Sequence, residues 1–443
     1  MNILFLYNVN SAFVGTTRSH IAAFKGYSIH KVVELDFHVF RKTDVDLSMF
    51  DCIVIHHSIP VGHGNTLSDQ IIERLKGFQG LKALFIQDEM RWVESTCDKI
   101  ERMGISLVFT VVNPEVVRDI YRGPWFDRVR FEHVLTGYVP EELLDVEVPA
   151  YEDRRIDVSY RARKLPAWCG IFGQEKSVIA ERFLADAAGW SLNCDISCKE
   201  SDRIYGDDWI RFVADSRATL GAESGASFID YSGQVAPAVD DYERRHPEAS
   251  FEKVRNKFLE GRDGRTVIHV ISPRCFEAAA LRTLMIMYEG AYSGILEAGR
   301  HYVPLARDHS NMAEVVAILR DPERAKAIIE TAYREIACSG RWSFRALIEQ
   351  FDQAVGEEWK RLGIPPSPAL FQSKIDAYSV KWDRMLRWNK IKYGTALYLG
   401  NTYRKLESIE RSSNSPRIVV VLLRALREAV EPIKKFLGRV LLG

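Results

Sequence analysis

The sequence predicts an α/β protein with two doubly wound parallel sheets and a helical, basic C-terminal extension. Short apolar runs recur through residues 1–111 with helical patterns between them, as in a parallel sheet covered on both faces. A stretch with Pro140, Pro149 and clustered charge follows, and the alternation restarts at Asp157. The 443 residues suffice for two domains of ordinary size plus an extension. The expected division is two Rossmann-like domains, 1–145 and 155–355, and a basic amphipathic extension, 365–443.

In the first domain Asn2 to Tyr7 reads as a buried central strand, and Gly15-Thr16-Thr17 opens a helix running to Phe24. Cys52 to His56, Ala83 to Gln87 and Leu107 to Val111 read as further buried strands. Helical patterns at Leu67 to Phe78 and Ile100 to Met103 separate them. In the second domain Asp157 to Tyr160 starts a new α/β unit, and further elements follow at Ser177 to Ala187, Trp209 to Ala214 and Ala218 to Ala222, the last read as a strand. Asp240 to Gly264 is charged and helical, an excursion between core elements. From Val267 the pattern is strand, helix, strand, loop: a β-rich run ending at Ser272-Pro273, a helix over Arg274 to Ala280, and an apolar run Leu284 to Tyr288 broken at Glu289-Gly290. Ala313 to Leu319 and Pro322 to Cys338 close the domain as helices.

Charge and cysteine content bound the partners. Sixty basic and sixty acidic side chains cancel, so no global nucleic-acid footprint is expected. From Phe371 onward, fifteen Lys/Arg face six Asp/Glu, a local excess of +9 that suggests an anionic partner or surface. Seven scattered cysteines point to reduced thiols and a cytoplasmic setting. Cys194 and Cys198 lack a second ligand pair, so no zinc site is expected. The N-terminus has neither a basic leader nor a small-residue cleavage site, and no apolar run approaches the roughly 18 residues of a membrane span.

Ligands of such domains sit beyond the carboxyl ends of strands, beside helix N-termini. Ser272 suits an N-cap and Pro273 the first helical position. The free N–H groups there favour an anion, and Arg274 adds a guanidinium fork for phosphate. Glu277, one turn in, can accept hydrogen bonds from sugar hydroxyls. The plain alternative is a capped surface helix with a solvated Glu. Gly221 to Ser227 is rich in small residues that allow close backbone approach to a ligand, with Glu223 and Ser224 as contacts, or is simply a tight turn.

Phe276-Glu277-Ala278-Ala279-Ala280, followed by His301-Tyr302-Val303-Pro304-Leu305 and Asp308-His309-Ser310-Asn311, resembles the donor-binding region of GT-B nucleotide-sugar glycosyltransferases, in particular the group-1 and spore-maturation-protein-like branch. The resemblance covers Ile268 to Asp352, is weaker over Asp157 to Gly233, and is architectural over residues 1–150. It implies acceptor binding by the N-terminal half, donor binding by the C-terminal half, and no bound metal or cofactor, the nucleotide sugar being a substrate. Glu277 matches the ribose-binding Glu. Arg161, Arg163 and Lys164 match basic groups that neutralise the diphosphate, whose charge grows as it leaves. Glu289, Gly290 and Tyr292 match a loop beside the donor sugar, where Tyr292 either stacks on a ring or packs at the loop base. One position departs: many retaining members carry a second Glu eight residues before the ribose Glu, and this chain has His269 there. Retaining stereochemistry therefore does not carry over.

The acceptor side needs a base near the attacking hydroxyl. Asp88 is the first candidate and His57 the second, both at expected strand ends; either also suits a structural role. Asp308, Ser310 and Asn311 are assigned to the start of the helix near Met312, Ser310 and Asn311 as caps. From Pro416 the tail sets Arg417, Arg424, Arg427, Glu428, Glu431, Lys434, Lys435 and Arg439 against an apolar face of Leu422, Leu423, Leu426, Val430, Ile433 and Leu437. Such a helix, with Trp388, Tyr393 and Tyr398 before it, suits an anionic membrane surface, its own core or a dimer. The expected function is transfer of a sugar from a nucleotide sugar to a glycan, lipid-linked glycan or protein in cell-surface polysaccharide synthesis, in the cytoplasm, with the tail as a candidate contact to the cytoplasmic membrane. The alternatives are a catalytically silent two-domain assembly factor at a membrane and a GT-B-fold sugar-nucleotide epimerase.

Overall fold

The structure is a computed structural model that describes residues 1–11, 15–64, 66–366 and 373–386. The N-terminal strands are β1 (Asn2–Tyr7), β2 (Lys31–Asp36), β3 (Cys52–Ile55), β4 (Leu81–Ile86), β5 (Leu107–Thr110) and β6 (Arg130–His133). They form one parallel sheet in the order β2-β1-β3-β4-β5-β6. The chain runs outward in one direction from β1 to β6 and returns to the other edge only through β2. Where the order reverses, beside β1 and β3, the carboxyl ends leave a crevice. β1, β3 and β5 are almost wholly buried, as their unbroken apolar runs require.

The second sheet is built from β7 (Ile156–Arg161), β8 (Cys194–Ser197) and β9 (Ser216–Gly221), with a short pair β10 (Ser224–Ala226) and β11 (Ile268–Val270) set apart, then β12 (Leu284–Tyr288) and β13 (Val303–Leu305). Its parallel order is β13-β12-β9-β7-β8. The expected fold class, two Rossmann-like α/β sheets, is the one observed. β2, β6 and β8 add strands that the sequence reading lacks, and one expected strand is placed differently. The β-rich run before Ser272 does not join the parallel sheet. β12 pairs directly with β9, from Leu284↔Ala218 to Met287↔Gly221, so no slot remains. β11 pairs antiparallel with β10 instead, and Gly225 makes this possible: its φ is +134°, and a Cβ there would lie 1.8 Å from the Ile268 carbonyl oxygen.

Chain position and packing diverge at the C-terminus. The sequence boundary at 355 falls inside the helix Phe344–Leu362, which lies on the first sheet. Phe351 contacts the rings of Phe24, Phe85 and Phe109, and the Asp352 carboxylate accepts from Ser28 Oγ and Ile29 N. A further helical segment, 373–386, also covers the first domain: Ile375, Trp382 and Leu386 are buried, and Trp382 stacks on Phe50. No described helix is long and apolar enough to cross a membrane. Trp388, Tyr393, Tyr398 and the amphipathic segment from Pro416 lie outside the described residues.

The halves are joined by backbone as well as side chains. Trp92 N donates to Asp230 O, Glu94 N to Tyr231 O, and Asp230 N to Met90 O. Residues 90–94 of the first half and 230–231 of the second thus form a strap. Gly233 makes room for it, since a Cβ there would strike the Trp92 ring at 2.0 Å.

Candidate functional site

The strand ends of both sheets open onto one cleft of ≈530 Å³ between the halves. The first half contributes Thr16 and Thr17 at the start of the helix Gly15–Tyr27, with His20, His57, Asp88 and Arg91. The second contributes Arg163, Lys176, Ser224 and Pro273. Two helix N-termini, at Thr16 and Pro273, converge here. Gly137 lets them approach: a Cβ on it would lie 2.7 Å from Pro273 and 3.2 Å from Thr16. Converging helix starts, with free N–H groups and positive dipole ends, favour an anion.

Asp88 and His57 also line a smaller pocket of ≈130 Å³ on the first-half side, with Glu89, Trp92 and Tyr121. The two sequence candidates for the base therefore stand where this pocket meets the cleft. Asp88 follows β4 with φ +58°, a left-handed conformation Asp tolerates better than most residues. Burial pushes its carboxyl above the usual range, while Lys176 and Arg163 across the cleft pull it back. Burial holds His57 down at about 4, so it is a neutral imidazole at pH 7 and able to accept a proton.

His57 belongs to a group with His20 and His56 whose ligand atoms lie within 4.8 Å of one another, close enough to share a metal ion. Hydrogen bonds link two of the three, and the His57 ring packs on His56 at 3.9 Å between centroids. Ser58 N donates to His56 Nδ1, which leaves the His56 proton on Nε2, 3.0 Å from His20 Nδ1. Burial lowers the basicity of His20 and His56, so the cluster is a chain of neutral imidazoles.

Beneath Asp88, the buried Glu89 carboxylate accepts from Thr110 Oγ1, Tyr121 OH and Val111 N. Burial outweighs these bonds and raises the carboxyl to about 7. A folded value above the unfolded one means that its stabilising effect is complete below about pH 4.5 and lost as pH rises through about 7. That span corresponds to on the order of 3 kcal/mol. The wild type is expected to lose thermal stability between pH 5 and pH 8, and Glu89→Gln to lose less over the same interval. Equal slopes in differential scanning calorimetry would show that Glu89 does not titrate there.

On the second-half side the expected donor residues separate. Arg163 lines the cleft and makes no hydrogen bond or ion pair among the described residues; Lys164 beside it is exposed and equally unpaired. Ser224 lines the cleft and accepts from Lys176 Nζ at 2.6 Å. Glu277 is largely enclosed, and burial raises its carboxyl. Its Oε2 accepts from Trp209 Nε1 at 2.9 Å, while Oε1 has no partner among the described residues. Glu289 is exposed at the end of β12, and Gly290 lies where a Cβ would meet Glu223 Oε2 at 2.4 Å.

Several expectations are corrected. Arg161 is a structural arginine, 12% exposed: it donates to the carbonyls of Asp202, Tyr160 and Asp195, pairs with the Asp195 carboxylate and lies over Phe212. Freeing it would break charge-assisted bonds of about 1.5–3 kcal/mol each. Ser272 occupies the N-cap position without a side-chain bond to the helix. Arg274 donates to the Arg161 carbonyl and lies over Trp209. Tyr292 is fully buried and donates to the Tyr288 carbonyl, so its ring is at the loop base and not open to a ligand. Asn311 does not cap: its Oδ1 accepts from Ala306 N and its Nδ2 donates to Pro304 O, fixing β13 to the loop. Ser310 bonds Asp308. His269, in place of the expected Glu, lies 3.4 Å from Glu223, which in turn accepts from Tyr292 N.

Two residues escaped sequence reading. Lys176 sits mid-helix in Gly170–Ala187, with no local signal to distinguish it from a surface Lys. The fold turns it into the cleft, where burial lowers it to about 8. Arg91 lies over the rings of Trp92 and Trp168, and its Nε is buried without a hydrogen-bond partner among the described residues.

No protein-family model matches the sequence, and no curated protein matches it. Solved structures overlap the chain broadly but at low identity. An α-glucosyltransferase in complex with UDP-glucose and DNA containing an abasic site is 10% identical, covering 80% of this chain and 98% of its own, with a TM-score of 0.45. HepE of Anabaena in complex with UDP and glucose is 11% identical, covering 81% and 100%, with a TM-score of 0.42. The DNA-modifying enzyme β-glucosyltransferase is 12% identical, covering 81% and 99%, with a TM-score of 0.41.

Proposed function

We propose that the protein is a glycosyltransferase of the GT-B type, moving a sugar from a nucleotide-sugar donor to a glycan, lipid-linked glycan or protein. The observation that carries this is the pairing across the cleft: Asp88 and His57 on one wall face Lys176 and Arg163 on the other, between two helix N-termini. The carboxylate or imidazole takes the proton of an acceptor hydroxyl held in the first-half pocket. The acceptor oxygen bonds to the anomeric carbon, the bond from that carbon to the diphosphate breaks, and the nucleoside diphosphate leaves with the electron pair. Lys176, Arg163 and the helix start at Ser272 stabilise its growing charge, with Lys164 at the rim. Glu277 holds the ribose through Oε1, and Glu289 with Gly290 borders the sugar. No metal or cofactor is required. The tail beyond residue 386 brings the enzyme to an anionic membrane surface, where lipid-linked acceptors for cell-surface polysaccharide are found.

The deciding experiment is thermal stabilisation by UDP-, GDP-, CMP- and dTDP-sugars without added metal. A ligand bound only by the folded state at a hundred times its Kd adds about 2.7 kcal/mol. One nucleotide class is expected to raise Tm, and Glu277→Ala to abolish that rise. Unchanged donor affinity in Glu277→Ala would remove the ribose assignment.

One observation favours the non-catalytic alternative: Trp209 occupies one oxygen of Glu277, and Arg274 is tied to a backbone carbonyl, so the chain itself fills part of the donor side. A folded protein that no nucleotide sugar stabilises would support that reading. The epimerase alternative is separated by product analysis, since an epimerase needs no acceptor.

A further inference from the structure

Behind the strap lies a second pocket between the halves, of ≈430 Å³, that shares no residue with the cleft. Glu94 and Arg122 come from the first half, and Tyr231, Arg262 and Arg265 from the second. The three arginines are exposed, and none forms an ion pair among the described residues. Arg122 bonds the Asp119 carbonyl and lies over the Tyr231 ring; Arg262 bonds the Phe258 carbonyl and lies over Phe228. Arg265 has no side-chain partner among the described residues. Of the two acidic groups at the wall, Asp230 is spent internally, accepting from the backbone N–H of Gly233 and Ala236, which leaves Glu94.

We propose that this pocket binds a phosphate-bearing small molecule at a site distinct from the cleft. Guanidinium groups held over aromatic rings are pre-oriented, and their planar fork matches a phosphate in two-point contact. Two such cations, Arg122 and Arg262, one from each half, with Arg265 beside them and facing one carboxylate, suit a ligand with two or more negative charges. Because the walls belong to different halves and the strap lies between pocket and cleft, an anion bound here stabilises the halves in the arrangement seen.

The test uses inorganic pyrophosphate as the probe, in calorimetric titrations of the full chain at low ionic strength. Three proteins are compared: wild type, Arg262→Ala/Arg265→Ala, and Arg163→Ala. The arginines are at the surface, so the folds should persist, and circular dichroism checks this. The proposal expects Arg163→Ala, whatever it does to binding in the cleft, to keep the equivalent that the double variant loses or binds at least tenfold more weakly. Binding unchanged in the double variant, or lost only in Arg163→Ala, would overturn it by assigning the anion to the cleft. Absence of any binding by the wild type at millimolar pyrophosphate would overturn it as well.

Discussion

Lys176→Met is expected to lower sugar transfer by about a hundredfold or more while leaving the protein folded. Met has a similar length and no charge, so it fills the same space between the helix Gly170–Ala187 and β10. What it removes is the ammonium group that donates to Ser224 and faces Asp88. A fixed cation beside a leaving diphosphate acts most strongly in the transition state, and loss of one such electrostatic contact typically costs about 10²–10³ in rate. A pH effect accompanies the substitution. Lys176 is held at about 8 by burial, so its charge is present below that pH and fades as pH rises through it. Donor affinity in the wild type is expected to fall above pH 8. Lys176→Arg, charged throughout, is expected to flatten that fall even if geometry costs it activity. Transfer within twofold of wild type for Lys176→Met would remove Lys176 from the donor site.

Gly225→Ala is expected to destabilise the protein by on the order of 3 kcal/mol or more, through backbone strain and overlap together. At φ +134° an L-residue is strained, and its Cβ would fall 1.8 Å from Ile268 O. The backbone must move, so the β10–β11 ladder opens and Ser224 leaves Lys176. Gly189→Ala is the control: its Cβ would meet nothing within 4 Å and its φ is not positive, so its Tm should stay near wild type or rise slightly. Equal Tm values for the two variants would mean that the hairpin does not need a glycine.

Much of the fold was legible because burial leaves a direct trace in sequence. β1, β3, β5 and β12 are covered on both faces, and each shows as an unbroken apolar run. β11 was misplaced because three residues, Ile268-His269-Val270, look the same in a parallel sheet and in a hairpin; only the direct β12–β9 register excludes the first. The helix Phe344–Leu362 has a clear amphipathic pattern, but a pattern does not say which sheet its apolar face meets. Asp88 and His57 could be placed beyond strand ends, and so at the cleft they line, because strand ends are visible in sequence. Arg161 looked as available as Arg163 because its tethers, Asp195 and Asp202, lie more than thirty residues away. Tyr292 likewise could not be sorted between loop base and ligand face without its buried bond to Tyr288.

Two α/β sheets, the loops after strands that carry Asp88, His57, Arg163 and Ser224, and the helix start at Ser272-Pro273 are all readable from the chain alone. These follow from periodicity and local backbone chemistry, which act over a few residues. Tertiary structure alone decided that Lys176 and Arg91 face the cleft, that Arg161 and Tyr292 do not, and that a strap separates the cleft from a second, arginine-lined pocket. Each of these depends at least in part on contacts between segments far apart in the chain, for Tyr292 the bond from its N–H to Glu223, and such contacts leave no periodic mark in either segment.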